Sequence, residues 1–472
     1  MGGVQFWNMS IWTFIIELGV LFGAMLLANL LRRTIAPLRK SLIPSAVIGG
    51  FLLLLANFLY FKFTGYELFR KLDMELFTYH CLGLGFIALS LKSTDRENSN
   101  TSGTDIFNTG VTVVATYLVQ ALAGLAITFG LSYLLGNWAN SGLLLPMGYG
   151  QGPGQAYNWG NIYETAQGYP AFENGASFGL TIAAMGFIAA SLGGVIYLQI
   201  MRKKGRVKNE LFADQAEPIT AIEVCEKGEI PLTESLDKLT VQCGLVFMTY
   251  ILTFGLMYIL SLGCDALGGF FVNTVKPLIW GFNFLFGSIM SMVVKSFIRF
   301  FKDKGIMKRE YRNPFMLSRI SGTMFDIMVV ASIAAINMSA FKHKEFFIPL
   351  ILLSVAGGVI SFFYIRTVSR KLFPTYSDEA FLSLYGMLTG TASTGVILLR
   401  EIDPNFETPA SDNLIYQQLW AILFGFPMLL LLGISPQNTL MTIVTLVALA
   451  LLYLLMNLIL FRKSIFKKKS KK

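Results

Sequence analysis

Eleven apolar runs, each long enough to cross a bilayer, make up most of the chain and leave few folds open to it. They fall near 11–31, 43–61, 75–91, 106–136, 172–201, 241–263, 271–297, 318–341, 346–365, 414–434 and 437–461. About 20 apolar residues in a helix span the hydrocarbon, where each backbone group must be paired within the segment. With 54% hydrophobic and only 14% charged residues among 472, a water-soluble core would lack polar surface to cover it. The pattern predicts an all-α integral membrane protein. No charge occurs in the first ten residues, and the first run reaches spanning length before Arg32 and Arg33, so it reads as a mature helix and not a cleaved leader.

Two stretches interrupt the pattern. Residues 148–160 read GYGQGPGQAYNWG, after the fourth run, and residues 386–395 read GMLTGTASTG, inside a segment at 378–402 after the ninth. Backbone so rich in Gly and Pro opposes regular helix. At membrane depth such backbone is tolerated only where it is buried in protein or lines a watery cavity. Two interrupted segments at matching places in two halves are the sequence sign of a secondary transporter's substrate site. Each is expected to enter the bilayer and turn back. Helix N-termini exposed there suit a carboxylate, and unwound carbonyls suit a dehydrated cation. The first stretch offers Gln151, Gln155, Tyr157 and Asn158; the second offers Thr389, Thr391, Ser393 and Thr394. Gly150, Gly152, Gly154, Gly390 and Gly395 would let backbone approach a ligand closely. The competing reading is that these small residues only allow helices to pack tightly.

Charge orients the spans. With the N-terminus outside and each interrupted segment returning to its own side, six of the 38 Lys and Arg face outward: Lys62, Arg70, Lys71, Lys276, Lys342 and Lys344. The other 32 face the cytoplasm, an asymmetry of about five to one. Five spans and one re-entrant hairpin thus reach the cytoplasm by residue 201, and a linker at 202–239 follows. The second set, at 240–434, starts with the opposite orientation, so the halves are expected to be inverted repeats. Residues 435–472 add an unmatched span and a basic tail, KSIFKKKSKK, placing the C-terminus inside. The tail reads as a topology signal with some attraction to anionic lipid. SFIRFFKDKGIM at 296–307 is read either as an interfacial helix or as an extension of the preceding span.

Few ionisable residues lie within the spans. Asp326, in SGTMFDIMVVASIAAINM near Ser321 and Thr323, could bind sodium, carry a proton, or pair with Arg319. Glu17 and His80 are read as structural, and Gln120, Asn283 and Asn337 as interhelical hydrogen bonds worth on the order of 0.6 kcal/mol. Cys81, Cys225, Cys243 and Cys264 have neither metal spacing nor a paired framework and read as apolar filler. No catalytic pair, phosphate loop or metal spacing is present, which argues against an enzyme. The net charge of +10 comes from short clusters at span ends, not from a stripe suited to nucleic acid. A channel is the rival of different class.

The order of features resembles the bacterial sodium/glutamate symporter family. The most specific parts are IPSAVIGG at 43–50 and GQGPGQAYNWG at 150–160, within a likeness covering roughly 11–434. The family's hairpins typically read Gly-Gly-His-Gly-Thr-Gly-Ala-Ala and Gly-Ala-Thr-Pro-Thr-Ala; here Gly150, Gly152, Gly154, Gly390, Ala392 and Thr394 match. Tyr149 or Gln151 stands where the family has histidine, Pro153 is added, and the second motif lacks its proline. The resemblance implies a homodimer in the bacterial inner membrane that moves a transport domain and couples sodium to glutamate uptake. A proton-coupled carrier, or one for a dicarboxylate or hydroxy acid, is the alternative. The expected substrate site is Gly150, Gln151, Gly152, Gly154, Gln155, Asn158, Gly390, Thr391, Ser393 and Thr394, and the cation site Asp326, Thr323 and Ser321.

Overall fold

The computed structural model describes residues 7–92, 101–165, 171–205, 237–269, 271–307, 309–404 and 406–462. Linker residues 206–236, the tail at 463–472 and Cys225 lie outside the described residues. The first half comprises α1 (Met9–Thr34), α2 (Ala36–Lys40), α3 (Ser45–Thr64), α4 (Lys71–Leu91), α5 (Gly103–Leu135), α6 (Leu144–Gly150), α7 (Pro153–Thr165) and α8 (Gly175–Lys203). The second comprises α9 (Lys238–Leu267), α10 (Lys276–Gly281), α11 (Asn283–Asp303), α12 (Pro314–Ala334), α13 (Lys344–Leu372), α14 (Ser377–Thr389), α15 (Ala392–Arg400), α16 (Ala410–Tyr416), α17 (Gln418–Ile434) and α18 (Thr439–Leu460). Among the described residues eleven helices are long and apolar enough to cross a membrane, and each overlaps one of the eleven apolar runs. The chain is a multi-pass, all-α membrane protein.

Polar residues at the ends fix where the apolar helices begin and stop. Ser102, Asn313 and Asn438 each accept a backbone N–H of the following first turn, at 3.0, 2.8 and 2.8 Å, and so satisfy donors that hydrocarbon would leave unpaired. Gly65 and Gly136 close α3 and α5 in the left-handed conformation.

The helices pack as two groups. In one, α4 lies along α12, flanked by α3 on α12 and by α11 on α4, with α1 on α3 and α9 on α11 outside them. In the other, α5 packs on α13, α17 and α18, and α8 packs on α13 and on the short helices α6, α7 and α14. Of the most apolar windows, 67% is buried in α5 and α8 but 22% in α1 and α18, so α5 and α8 are central and the outer helices present an apolar surface.

Two segments differ from expectation. The run at 271–297 is not one span: a π-helical turn at Phe271–Val275 and α10 precede a kink at Phe282, and only α11 has spanning length. The run at 318–341 leaves helix at Ala334, because Asn337 caps a 3-10 turn over Met338–Lys342. Residues 296–303 continue α11, with Lys304 lying over the Phe300 ring, which is the extension and not the separate interfacial helix of the two readings.

Candidate functional site

Two helical hairpins approach α8 from its opposite ends and meet beside its middle. In the first, Gly124 of α5 lies against Gly142 while Tyr117, two turns earlier, donates to the Gly150 carbonyl at 3.1 Å, so the chain returns along α5 as it passes into α6. The chain then turns at Gln151–Gly152. Along α7, Ala156 lies against Gly179 and Gly160 against Gly175, which takes the chain back to the end where it started. The second hairpin is rooted at the other end of α8. There Asp378 pairs with Arg366 of α13 at 2.8 Å and Glu401 lies 3.6 Å from Arg202. Burial pushes the Glu401 carboxyl up, against the opposing pull of Arg202 and Arg32. Helix α14 runs back along α13, turns at Gly390–Thr391, and α15 returns with Gly395 packed under the Ser383 carbonyl.

The two turns touch. A Cβ on Gly152 would sit 3.5 Å from Thr391 Cγ2 and 3.8 Å from the Gly390 carbonyl oxygen. Gly186 of α8 fits between them, against Tyr149 and the Thr389 carbonyl, with no room for a side chain. The C-terminal ends of α6 and α14 and the N-terminal ends of α7 and α15 therefore converge at one place. Such a cluster offers free N–H groups to an anion and free carbonyls to a cation.

The breaks are shorter than composition implied. Most of GPGQAYNWG is helix α7, with Pro153 at its first position, where a missing N–H costs nothing. Only Gln151 and Gly152 lie outside helix, and Gly152 is left-handed at φ +85°. The glycines expected to admit a ligand mostly admit neighbours: Gly150 faces Tyr117, Gly154 faces Leu82, and Gly395 faces Ser383 and Met387.

The expected site residues separate into groups. Gln151, Gly152, Gly390, Thr391 and Thr394 lie at the meeting of the turns, where the Thr391 and Thr394 hydroxyls are 3.3 Å apart. Ser393 is exposed beside them. Gln155 and Asn158, buried on α7, face instead the kink after α10: Asn158 donates to the Gly281 carbonyl at 2.6 Å and Gln155 to the same oxygen at 3.5 Å. Of Ser321, Thr323 and Asp326, the last two share a face of α12 and Ser321 lies on another. The Ser321 hydroxyl is buried and donates to the Gly85 carbonyl at 2.9 Å, whereas Thr323 and Asp326 lie on the exposed side of α12. Arg319 lies over the Phe315 ring and forms no ion pair with Asp326. His80 contacts the Tyr250 hydroxyl at 2.8 Å, and Glu17 is buried against Asp73. Asn337 bonds Asn174 at 2.9 Å.

Gln120 belongs to this site more than its sequence context suggested. From α5 its Nε2 donates to the Leu388 carbonyl of the second hairpin at 2.9 Å and to Ser361 of α13 at 2.8 Å. Its Oε1 is buried without a hydrogen-bond partner, 3.3 Å from where a Gly150 side chain would begin. A single glutamine thus touches both hairpins and leaves one acceptor open between them. Among the described residues no group of three His, Cys, Asp or Glu forms a metal site. No family model, curated protein or solved structure matches the chain. The class therefore follows from fold and geometry: a multi-pass helical membrane protein with two opposed helical hairpins meeting at its centre.

Proposed function

We propose that this protein is a secondary active transporter that couples sodium to the uptake of glutamate or a similar small carboxylate. The observation that carries this reading is the contact between Gly152 and Thr391, where two hairpins from opposite ends of α8 bring four helix ends to one spot. Broken helices at a shared central site are how secondary transporters bind ionic solutes. A carboxylate would take the N–H groups at the starts of α7 and α15. A cation, or the ammonium group of an amino acid, would take Gln120 Oε1 and the carbonyls that end α6.

The helix pairings support an inverted-repeat architecture. Exchanging the halves maps α1 on α3 to α9 on α11, and α3 on α12 to α11 on α4; the pairs α4–α12 and α5–α13 map onto themselves. Helix α18 has no counterpart. The basic ends of α1, α8 and α13, carrying Arg32, Arg202 and Arg370, take the cytoplasmic side under the positive-inside rule, which puts the N-terminus outside. An elevator-like cycle fits the packing. Helix α7 of the first hairpin lies against α4, α10 and α12, whereas α15 packs chiefly on α14, α8 and α16 and exposes Ser393. That asymmetry corresponds to a site sealed outside and open inside. The resemblance to sodium/glutamate symporters extends the reading to a homodimer in a bacterial inner membrane, acting as a carrier and not as an enzyme.

The test is uptake of radiolabelled glutamate into proteoliposomes. The expected result is saturable uptake that needs an inward sodium gradient and shows counterflow. Ohmic current without saturation, or uptake driven equally by a proton gradient without sodium, would contradict it.

A further inference from the structure

Away from the hairpin turns, a crevice of about 560 Å³ opens between the last turns of α8 and α13, at the basic end of both helices. Along α8 it is lined by Tyr197, Ile200 and Lys204, and along α13 by Phe363, Thr367 and Arg370. These residues recur at helical spacing and so form one facing stripe on each helix. Both stripes change in the same sense, from aromatic and aliphatic to cationic at the helix end.

The cations of this crevice divide by partner. Arg366 is already engaged: it pairs with Asp378 at 2.8 Å, donates to the Ser377 carbonyl at 3.2 Å, and lies 4.9 Å from the Tyr197 ring centre. Lys204 and Arg370 are exposed and form no ion pair among the described residues. Below them the walls are open as well as apolar, with Ile200 40% and Phe363 66% exposed. In a membrane-spanning chain such walls meet hydrocarbon, and the solute present there in quantity is phospholipid. Basic pockets between helices on the cytoplasmic side suit anionic headgroups.

We propose that this crevice binds an anionic phospholipid, its phosphate between Lys204 and Arg370 and an acyl chain along Ile200 and Phe363. The bound lipid joins the end of α8 to the end of α13. It sits beside Ser377 and Asp378, the root of the second hairpin.

Native mass spectrometry of the full chain in neutral detergent tests this, with phosphatidylglycerol and phosphatidylcholine supplied at equal concentration. Phosphatidylglycerol should be retained preferentially. Each surface cation near a membrane is worth a factor of about five, so the double variant Lys204→Gln/Arg370→Gln should lose about 25-fold in phosphatidylglycerol binding. Lys342→Gln/Lys344→Gln, at the opposite end, should leave it unchanged. Equal retention of the two lipids, undiminished binding in the first variant, or displacement of the lipid by millimolar inorganic phosphate would overturn the proposal. So would a crevice closed by a second copy of the chain, seen as a lipid-free dimer that the first variant dissociates. The readout needs no transport, so its outcome is separate from that of the uptake assay.

Discussion

Gln120 shows how much one side chain can hold together when it is buried among helix ends. Its amide nitrogen satisfies the Leu388 carbonyl, which the break after Thr389 leaves without a helical partner, and its oxygen stays open toward the first hairpin. Gln120→Leu removes both donors and strands the buried Leu388 carbonyl. The expected cost is about 1–3 kcal/mol, read as a lowered melting temperature in detergent. In the proposed carrier the same change should weaken glutamate uptake at least tenfold, whereas unaltered stability and uptake would remove Gln120 from the site. Sequence marked Gln120 as an interhelical hydrogen bond, which it forms, but not its partners, because nothing local in ATYLVQALAG reveals which of several neighbouring helices a buried amide will reach. Asp326 is the converse case. The helical period puts Thr323 on the exposed face of α12 with Asp326 but turns Ser321 to another face, toward the Gly85 carbonyl.

At the level of elements, the hairpins were legible because Gly, Pro, Gln and Asn stand out in an apolar chain, while the third broken segment was not. LIWGFNFLFG reads as continuous apolar helix, with Gly281, Asn283 and Gly287 its only irregular residues. The kink at Phe282 frees the Gly281 carbonyl, and α7 supplies Asn158 to satisfy it. This bond fastens the first hairpin to the helix group built on α4 and α12. Asn158→Leu should therefore lower stability by about 1–3 kcal/mol, since the carbonyl is left buried with only the long 3.5 Å contact from Gln155. Gln155→Leu should cost less than half as much. Thermal melting of the two variants checks the order, and equal losses would mean that the Gly281 carbonyl is not the shared anchor. Composition overstated the disorder of GPGQAYNWG for a related reason. Gly154 and Gly160 are helical because their missing side chains let α7 press against Leu82 and Gly175, and packing outweighs the roughly 1 kcal/mol that glycine costs a helix.

On the scale of the whole molecule, the account depends on two opposed hairpins whose turns meet at one place. Span number and approximate position could be read from hydropathy, since hydrocarbon thickness alone dictates them. The partition of the helices into a group around α4–α12 and a group around α5, α8 and α13 could not, because apolar faces of similar composition do not specify their neighbours. The contact between the turns can be measured directly. In a chain whose Cys81, Cys225, Cys243 and Cys264 are replaced by alanine, Gly152→Cys and Thr391→Cys are introduced together. The left-handed backbone at residue 152 makes the first change cost about 1–2 kcal/mol, which a folded membrane protein tolerates. Mild oxidation in native membranes followed by proteolysis should yield peptides linked through residues 152 and 391. If both cysteines react singly with maleimide but no linked peptide forms, the turns do not meet, and the proposed site does not exist.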